Sequence, residues 1–263
     1  MQVKQVVTIA GIDSSGGAGV NADVKTFHNQ KVYGATIITG LTAQNTYGVQ
    51  AITTTPPDFI LKQFDSVFSD LEISAAKTGA LFSKEQVEAV IQGIKKYRPK
   101  HLVVDPVMVA KGGAKLLTDD AIEKVKIELF PLAELITPNL DETEVLVGYP
   151  VDTEEKIHQA LFDLQAMGAA NVLIKGGHLK GSKVIDSLLT ANGSITTYTA
   201  NRTNTKRTHG TGDTLSSYIV AHLAQNENLL DIMPKAKLFI SKAIKEEINV
   251  GHGHGPLNHW IKG

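Results

Sequence analysis

Residues 6–29 read VVTIAGIDSSGGAGVNADVKTFHN. The run 6–10 is short, apolar and rich in β-branched side chains, which predicts a buried strand. The pattern over 21–29 is amphipathic at helical spacing and predicts a helix. Between them lies a glycine-rich turn. This strand–turn–helix unit then recurs along the chain. Further strands are predicted at 35–39, 73–76, 101–104, 134–136 and 171–174. Helices are predicted at 57–69, 83–97, 118–128 and 154–167, the second opened by Ser83 and Gln86 in a capping-box pattern. Strand-like runs at 184–189 and 195–198 read as a hairpin turning at Asn192-Gly193. Helices at 213–225 and 229–247 follow. Such alternation predicts parallel strands joined by right-handed crossovers, hence a mostly parallel sheet covered by helices on both faces. No linker, repeat or low-complexity segment interrupts it, so residues 1–263 read as a single domain.

Composition narrows the function classes. Lys plus Arg number 26 against 27 Asp plus Glu, so no global field draws the chain to nucleic acid or an anionic membrane. The absence of cysteine excludes disulfides, a thiolate nucleophile and Cys-ligated zinc, and fits a reducing compartment. No apolar run reaches the roughly 18 to 20 residues of a membrane span. The N-terminal apolar run lacks a cleavage pattern and reads as the first strand. A soluble cytoplasmic protein is expected.

Open α/β sheets bind ligands at the C-terminal ends of their strands, and the chemically notable residues fall there. Gly11 and Asp13 follow the first strand, Gln44 the second, Lys77 and Gly79 the third, Asp105 the fourth, Asn139 the fifth and Lys175 to His178 the sixth. The strongest local signal is His209-Gly210-Thr211-Gly212-Asp213, running into a helix. Its glycines permit close backbone approach, and the free N–H groups of a helix start form an anion site. Asp213 then suits a general base that takes a proton from an attacking hydroxyl; as a plain helix cap it would be equally ordinary. Gly17 to Ala22 matches the dinucleotide fingerprint G-x-G-x-x-G/A, but the acid expected about 20 residues later is missing. Asn139 and Glu142 open a helix. Glu142 could hold a hydrated Mg²⁺ or simply complement the helix dipole. Lys175 before Gly176 and Gly177 could reach a phosphate as a point charge, or be a surface lysine before a turn. The Gly-Lys dipeptide of a P-loop never occurs. His252, His254 and His259 cluster in GHGHGPLNH, as a metal site or a glycine-rich closing loop.

Taken in order, AGIDSSGGAG, NADVKTF, LTAQNTYGVQ, KTGALF, VVDPVMVAKGGAKLL, LITPNLDETEVL, IKGGH, THGTGDT and GHGHGPLNH resemble the ribokinase-like superfamily. Within it they resemble the hydroxymethylpyrimidine/phosphomethylpyrimidine kinases of thiamin biosynthesis. The resemblance implies a three-layer α/β/α fold and an enzyme using ATP and Mg²⁺. Its substrates would be 4-amino-5-hydroxymethyl-2-methylpyrimidine and its monophosphate. It implies Asp213 as catalytic base and Gly210, Thr211, Gly212 and Asp213 as an anion hole. It implies Gln44 against the pyrimidine, with Gly11, Ala18, Asp23 and Val107 walling the substrate pocket. Lys175, Asn139 and the Gly176-Gly177 pair would lie near nucleotide phosphates, and Glu142 and Asp105 near the metal. The family is commonly dimeric. Two departures stand out. Asp213 occupies a position usually held by Cys in the pyrimidine kinases, and Ala80 replaces a Met, which widens the pocket. The pyridoxal kinases of vitamin B6 salvage are the rival reading, and they usually lack the Ala43-Gln44-Asn45-Thr46 signature. A nicotinamide-dependent dehydrogenase, resting on Gly17 to Ala22 alone, and a catalytically silent binding protein are the other classes. A lid must exclude water from a kinase site, and the segment 110–114 is a candidate.

Overall fold

The computed structural model describes residues 3–110, 113–177 and 181–261. Its centre is a sheet in the order β3-β2-β1-β4-β5-β6-β7-β8-β9. The strands are β1 Gln5–Asp13, β2 Tyr33–Asn45, β3 Gly48–Thr54, β4 Ile73–Thr78, β5 His101–Val104, β6 Leu135–Ile136, β7 Asn171–Ile174, β8 Lys183–Leu189 and β9 Ile195–Asn201. From β2 through β7 neighbouring strands run parallel. β3 closes one edge antiparallel, and the β8–β9 hairpin closes the other. The helices are α1 Gly19–Asn29, α2 Pro57–Asp70, α3 Lys84–Tyr97, α4 Asp119–Lys124, α5 Leu140–Val147, α6 Glu154–Ala166, α7 Thr211–Ala224 and α8 Leu229–Lys245.

Strand side chains alternate between the two faces, and that alternation builds two cores. Val7, Ala76, Val104, Ile136 and Val172 pack with α2 to α6. Val6, Ala75, Val103, Leu135 and Leu173 pack with α1, α7 and α8. The molecule is therefore the three-layer α/β/α arrangement expected. Phe64 of α2 is fully buried and heads a stack with Phe68 and Tyr97, the latter two rings 4.8 Å apart. Truncating a buried Phe to Ala costs about 3 to 5 kcal/mol, so this helix pair is a main fastening of its face.

The structure differs from the expectation in places. Strands β1, β2 and β4 run further than their apolar cores, so Asp13, Gln44 and Lys77 lie on strands rather than after them. β2 is prolonged because it pairs with β3, with Gln44 opposite Val49. β3 itself was not expected, since its residues are almost all exposed and show no two-residue alternation. The helix expected over 118–128 is α-helical only to Lys124 and continues as a π-turn, Val125–Leu129. Ser83 does cap α3, but Gln86 does not return the bond. Its amide instead donates to the Thr39 and Thr55 carbonyls at 2.7 and 2.6 Å.

Candidate active site

The C-terminal ends of the strands open into a cavity of about 1040 Å³. Two glycine turns meet at its floor. The first joins β1 to α1. Asp13, buried at the end of β1, folds its carboxylate back into the turn. Oδ1 accepts from the Ser15 N–H and hydroxyl at 2.8 and 2.7 Å. Oδ2 accepts from Gly17 N at 3.1 Å and Ala18 N at 3.0 Å. His209 Nε2 lies 2.7 Å from Oδ2. Burial pushes the Asp13 carboxyl up, but the hydrogen bonds from His209 and Ser15 outweigh it and hold it below the usual carboxylate range. The turn that matched a dinucleotide fingerprint is thus filled by the protein's own anion. The Ser15, Gly16, Gly17 and Ala18 amides are already taken, which leaves the turn poorly placed to hold a pyrophosphate and counts against the dehydrogenase reading.

The second turn enters α7. Gly210 caps the helix with a left-handed backbone, φ 82°, and no side chain caps it. A Cβ on Gly210 would stand 2.0 Å from the Gly17 carbonyl oxygen, so only glycine lets the two turns touch. Thr211 N and Thr214 N find backbone carbonyls. Among the described residues no acceptor takes the N–H groups of Gly212 and Asp213, which stand at the cavity. Lys175, just past β7, borders the same space. Its Nζ would lie 3.2 Å from a Cβ on Gly212 and is 2.8 Å from Asp105 Oδ1. Burial pulls the Lys175 ammonium down, but Asp105 and Glu142 outweigh it, so its pKa stands above the ordinary value. Asn139 and Glu142 form a reciprocal capping box on α5. Burial pushes the Glu142 carboxyl up to about 7, against the pull of Lys175 and with the push of Asp105.

Beneath Asp213 lies a buried ion network that sequence reasoning passed over. Lys77, fully buried on β4, reaches Asp23 Oδ1 at 2.5 Å and Asp213 Oδ1 at 3.4 Å. Asp23 also accepts from Thr8 Oγ1 and Ser217 Oγ, each at 2.6 Å. Burial pulls the Lys77 ammonium down, yet Asp23, Asp213 and Asp105 together hold its pKa above the ordinary value. Burial likewise pushes Asp23 up to about 6, against Lys77. At neutral pH the pair is ionised. Placing Asp23 on the substrate wall is therefore corrected: it lies under the floor, with no exposed surface, and does not line the cavity. Gly176 is the second correction. It is not among the lining residues, and its N–H donates to Asp186 Oδ1 at 3.0 Å.

Gly11, Ala18, Gln44, Ala80, Asp105, Val107, Asn139, Glu142, Lys175, Gly177, Gly210, Thr211, Gly212 and Asp213 all line the cavity. Ala110 and Gly113 line it from the candidate lid segment 110–114, whose Lys111 and Gly112 lie outside the described residues, as does His178. No three His, Asp or Glu converge at the histidine-rich segment among the described residues. Instead Gly253 N and His254 N clasp Thr46 at the β2–β3 turn, at 3.0 and 2.7 Å. His259 is buried, its Nε2 2.9 Å from Thr214 Oγ1. No helix among the described residues is long and apolar enough to cross a membrane.

Known proteins resemble the chain in sequence and fold. The chain is 46% identical to the hydroxymethylpyrimidine/phosphomethylpyrimidine kinase of Haemophilus influenzae, over 98% of this chain and 97% of that one. It is 45% identical to the thiamine biosynthesis bifunctional protein of Geobacter sulfurreducens over 97% of its length, and spans about half of that longer protein, 52%. The ADP complex of Bacillus subtilis pyridoxal kinase superposes with a TM-score of 0.90 at 35% identity, covering 98% of each chain. The fold is thus the ribokinase-like one. The family model for phosphomethylpyrimidine kinase matches residues 13–258, and the chain belongs to that kinase family.

Proposed function

We propose that this protein transfers the γ-phosphoryl group of ATP to the hydroxymethyl group of 4-amino-5-hydroxymethyl-2-methylpyrimidine, and then to the resulting monophosphate. One observation carries the reading. A single cavity is lined by a helix start with open N–H groups, a cation, a carboxylate and an amide side chain suited to a heterocycle. The Gly212 and Asp213 N–H groups and the Lys175 ammonium meet the charge of the moving phosphoryl group. Asp213 takes the alcohol proton as the new O–P bond forms and the bond to ADP breaks. Lys77 keeps that carboxylate in place from below. In the second step the acceptor is already an ionised phosphate, so a base matters less.

The residues at Asp105 and Glu142 fit a magnesium ion. Mg²⁺ needs only one or two carboxylates when phosphates and waters complete its shell. Glu142, crowded by Asp105 and pushed up by burial, is a carboxyl that a cation would relieve. When bound with the nucleotide, the ion would neutralise phosphate charge. The reading extends to a cytoplasmic homodimer, for which sedimentation of the purified protein is the direct check.

Pyridoxal is the second candidate, favoured by the likeness to a pyridoxal kinase and by the room that Ala80 leaves. Gln44 argues for the pyrimidine, because an amide pairs with a ring edge carrying both an amine and a ring nitrogen. An unpaired polar edge costs about 1 to 3 kcal/mol. Accordingly kcat/KM for the aminopyrimidine should exceed that for pyridoxal by at least about tenfold. ADP release with both compounds, and the mass of each product, measures this; a preference for pyridoxal would reverse the reading.

A further inference from the structure

The backbone of Gln44 is pinned. Its N–H donates to Ser14 Oγ at 2.8 Å, and the Ser14 hydroxyl donates to its carbonyl at 2.9 Å. Only the side-chain amide is left to choose an orientation. Its Nε2 lies 3.1 Å from His209 Nε2, and its Oε1 lies 2.9 Å from Thr42 Oγ1. The two ends of an amide differ only in what they bond, so the partners decide between them.

Both partners make the same demand. Asp13 is an acceptor only, already holding the Ser15, Gly17 and Ala18 N–H groups. At 2.7 Å from it, His209 Nε2 must carry a hydrogen and donate. An imidazole N–H cannot also accept from the Gln44 NH₂ group, but it can share its hydrogen with an amide oxygen. At the other end, Thr42 Oγ1 lies 3.2 Å from the Ile12 carbonyl, which can only accept. The hydroxyl has one hydrogen for two acceptors, Ile12 O and Gln44 Oε1; with the amide turned over, the hydrogen goes to Ile12 and the oxygen accepts from the NH₂ group. Turning the amide over satisfies every group at once.

We propose that the Asp13–His209 pair and Thr42 lock Gln44 with its carbonyl oxygen beside the imidazole, so that the site selects a ring edge that donates a hydrogen bond, as an exocyclic amine does, over one that accepts. His209 acts here as a positioning residue through Gln44. This deepens, and rests on, the aminopyrimidine reading above. It also explains how the filled first turn serves specificity: the carboxylate that closes it fixes the hydrogen on His209.

The test compares 4-amino-5-hydroxymethyl-2-methylpyrimidine with its 4-oxo counterpart, which presents a carbonyl where the first has an amine. The wild-type enzyme should prefer the amine in kcat/KM by about tenfold to a hundredfold. His209→Leu frees the amide to rotate, and the ratio should fall to within about threefold of one, with the larger change in KM for the pyrimidine. His209→Gln keeps an N–H at the same reach and should restore most of the preference. Thr42→Val, nearly isosteric and placed on β2 beside Asp13, removes the other anchor and should lower the ratio several-fold even where the His209→Leu protein folds poorly. An unchanged ratio in a folded His209→Leu or in Thr42→Val overturns the lock while leaving the substrate reading intact. A wild-type ratio near one overturns the substrate reading, and the lock with it.

Discussion

The β1–α1 turn and the β9–α7 turn are both glycine-rich entries to a helix, they touch through Gly17 and Gly210, and they dispose of their backbone N–H groups in opposite ways. The first spends the amides of Ser15, Gly17 and Ala18 on Asp13, two to five residues before them. The second leaves Gly212 and Asp213 open to the cavity, with Lys175 opposite. A helix start is an anion site only when nothing inside the chain has already answered it. The filled turn is therefore rigid material against which the open one is set, and the two can be broken separately.

The largest effect is expected at the open turn. Asp213→Asn keeps the size of the side chain but cannot take a proton. Turnover of the alcohol substrate should fall by about 10² to 10⁴, the usual span for a general base. ATP affinity should stay within about threefold, because the N–H groups and Lys175 are untouched. Steady-state kinetics with a separate nucleotide-binding measurement checks both halves. Near-normal turnover would leave Asp213 only its structural contact with Lys77.

The filled turn should respond in stability instead. Asp13→Ala strips the partner from three backbone N–H groups and from His209, and should destabilise the protein by about 3 to 4 kcal/mol. It should also convert the turn into what its sequence resembles. Inorganic phosphate ought to raise the melting temperature of the variant by several degrees more than that of the wild type, which offers only the open turn. Equal shifts in the two proteins would mean that Asp13 is not what keeps anions out.

This contrast also marks what the sequence could say. The α/β/α layering was legible because strands and helices with clear periods alternate, and the His209–Asp213 turn because its chemistry is local. The helix start at Asn139 was legible for the same reason, though the reciprocal cap that Glu142 completes there was not expected. The rest depends on partners far apart in the chain. Asp13 meets His209 across 196 positions, and Lys77 meets Asp23 and Asp213 across 54 and 136. Nothing near Asp23 shows that a lysine from another strand will bury it. Nothing near Gly17 shows that a carboxylate will turn back and fill the loop. β3 was missed for a different reason: an edge strand with both faces wet carries no alternation to read.

A last, smaller effect separates the histidines that serve the two turns. His209 donates to an anion in the filled turn, whereas His259 sits behind the open one. The Thr214 hydroxyl donates to the Gly210 carbonyl at 2.8 Å, so His259 Nε2 donates to Thr214 Oγ1. Burial, with the charge of Lys25, pushes the His259 pKa down from 6.5 to about 4. The unfolded chain then binds this proton more readily than the folded one. Its contribution is whole above pH 6.5 and is lost as the pH falls toward about 4. Asp23 works the other way: its folded pKa is raised from 3.8 to about 6, so it favours the fold as the pH falls through that range. The two oppose each other, and Glu142, also raised, adds to the Asp23 side, so wild-type stability alone would hide the histidine. Subtraction exposes the histidine. The difference in unfolding free energy between wild type and His259→Gln should shift by about 2 to 3 kcal/mol against the wild type between pH 7 and about 4.5. Urea melts of both proteins across that range measure it, and Asp23, common to both, drops out. A difference independent of pH would show that His259 titrates as an ordinary exposed imidazole, and that the open turn's helix is not held from behind by a neutral ring.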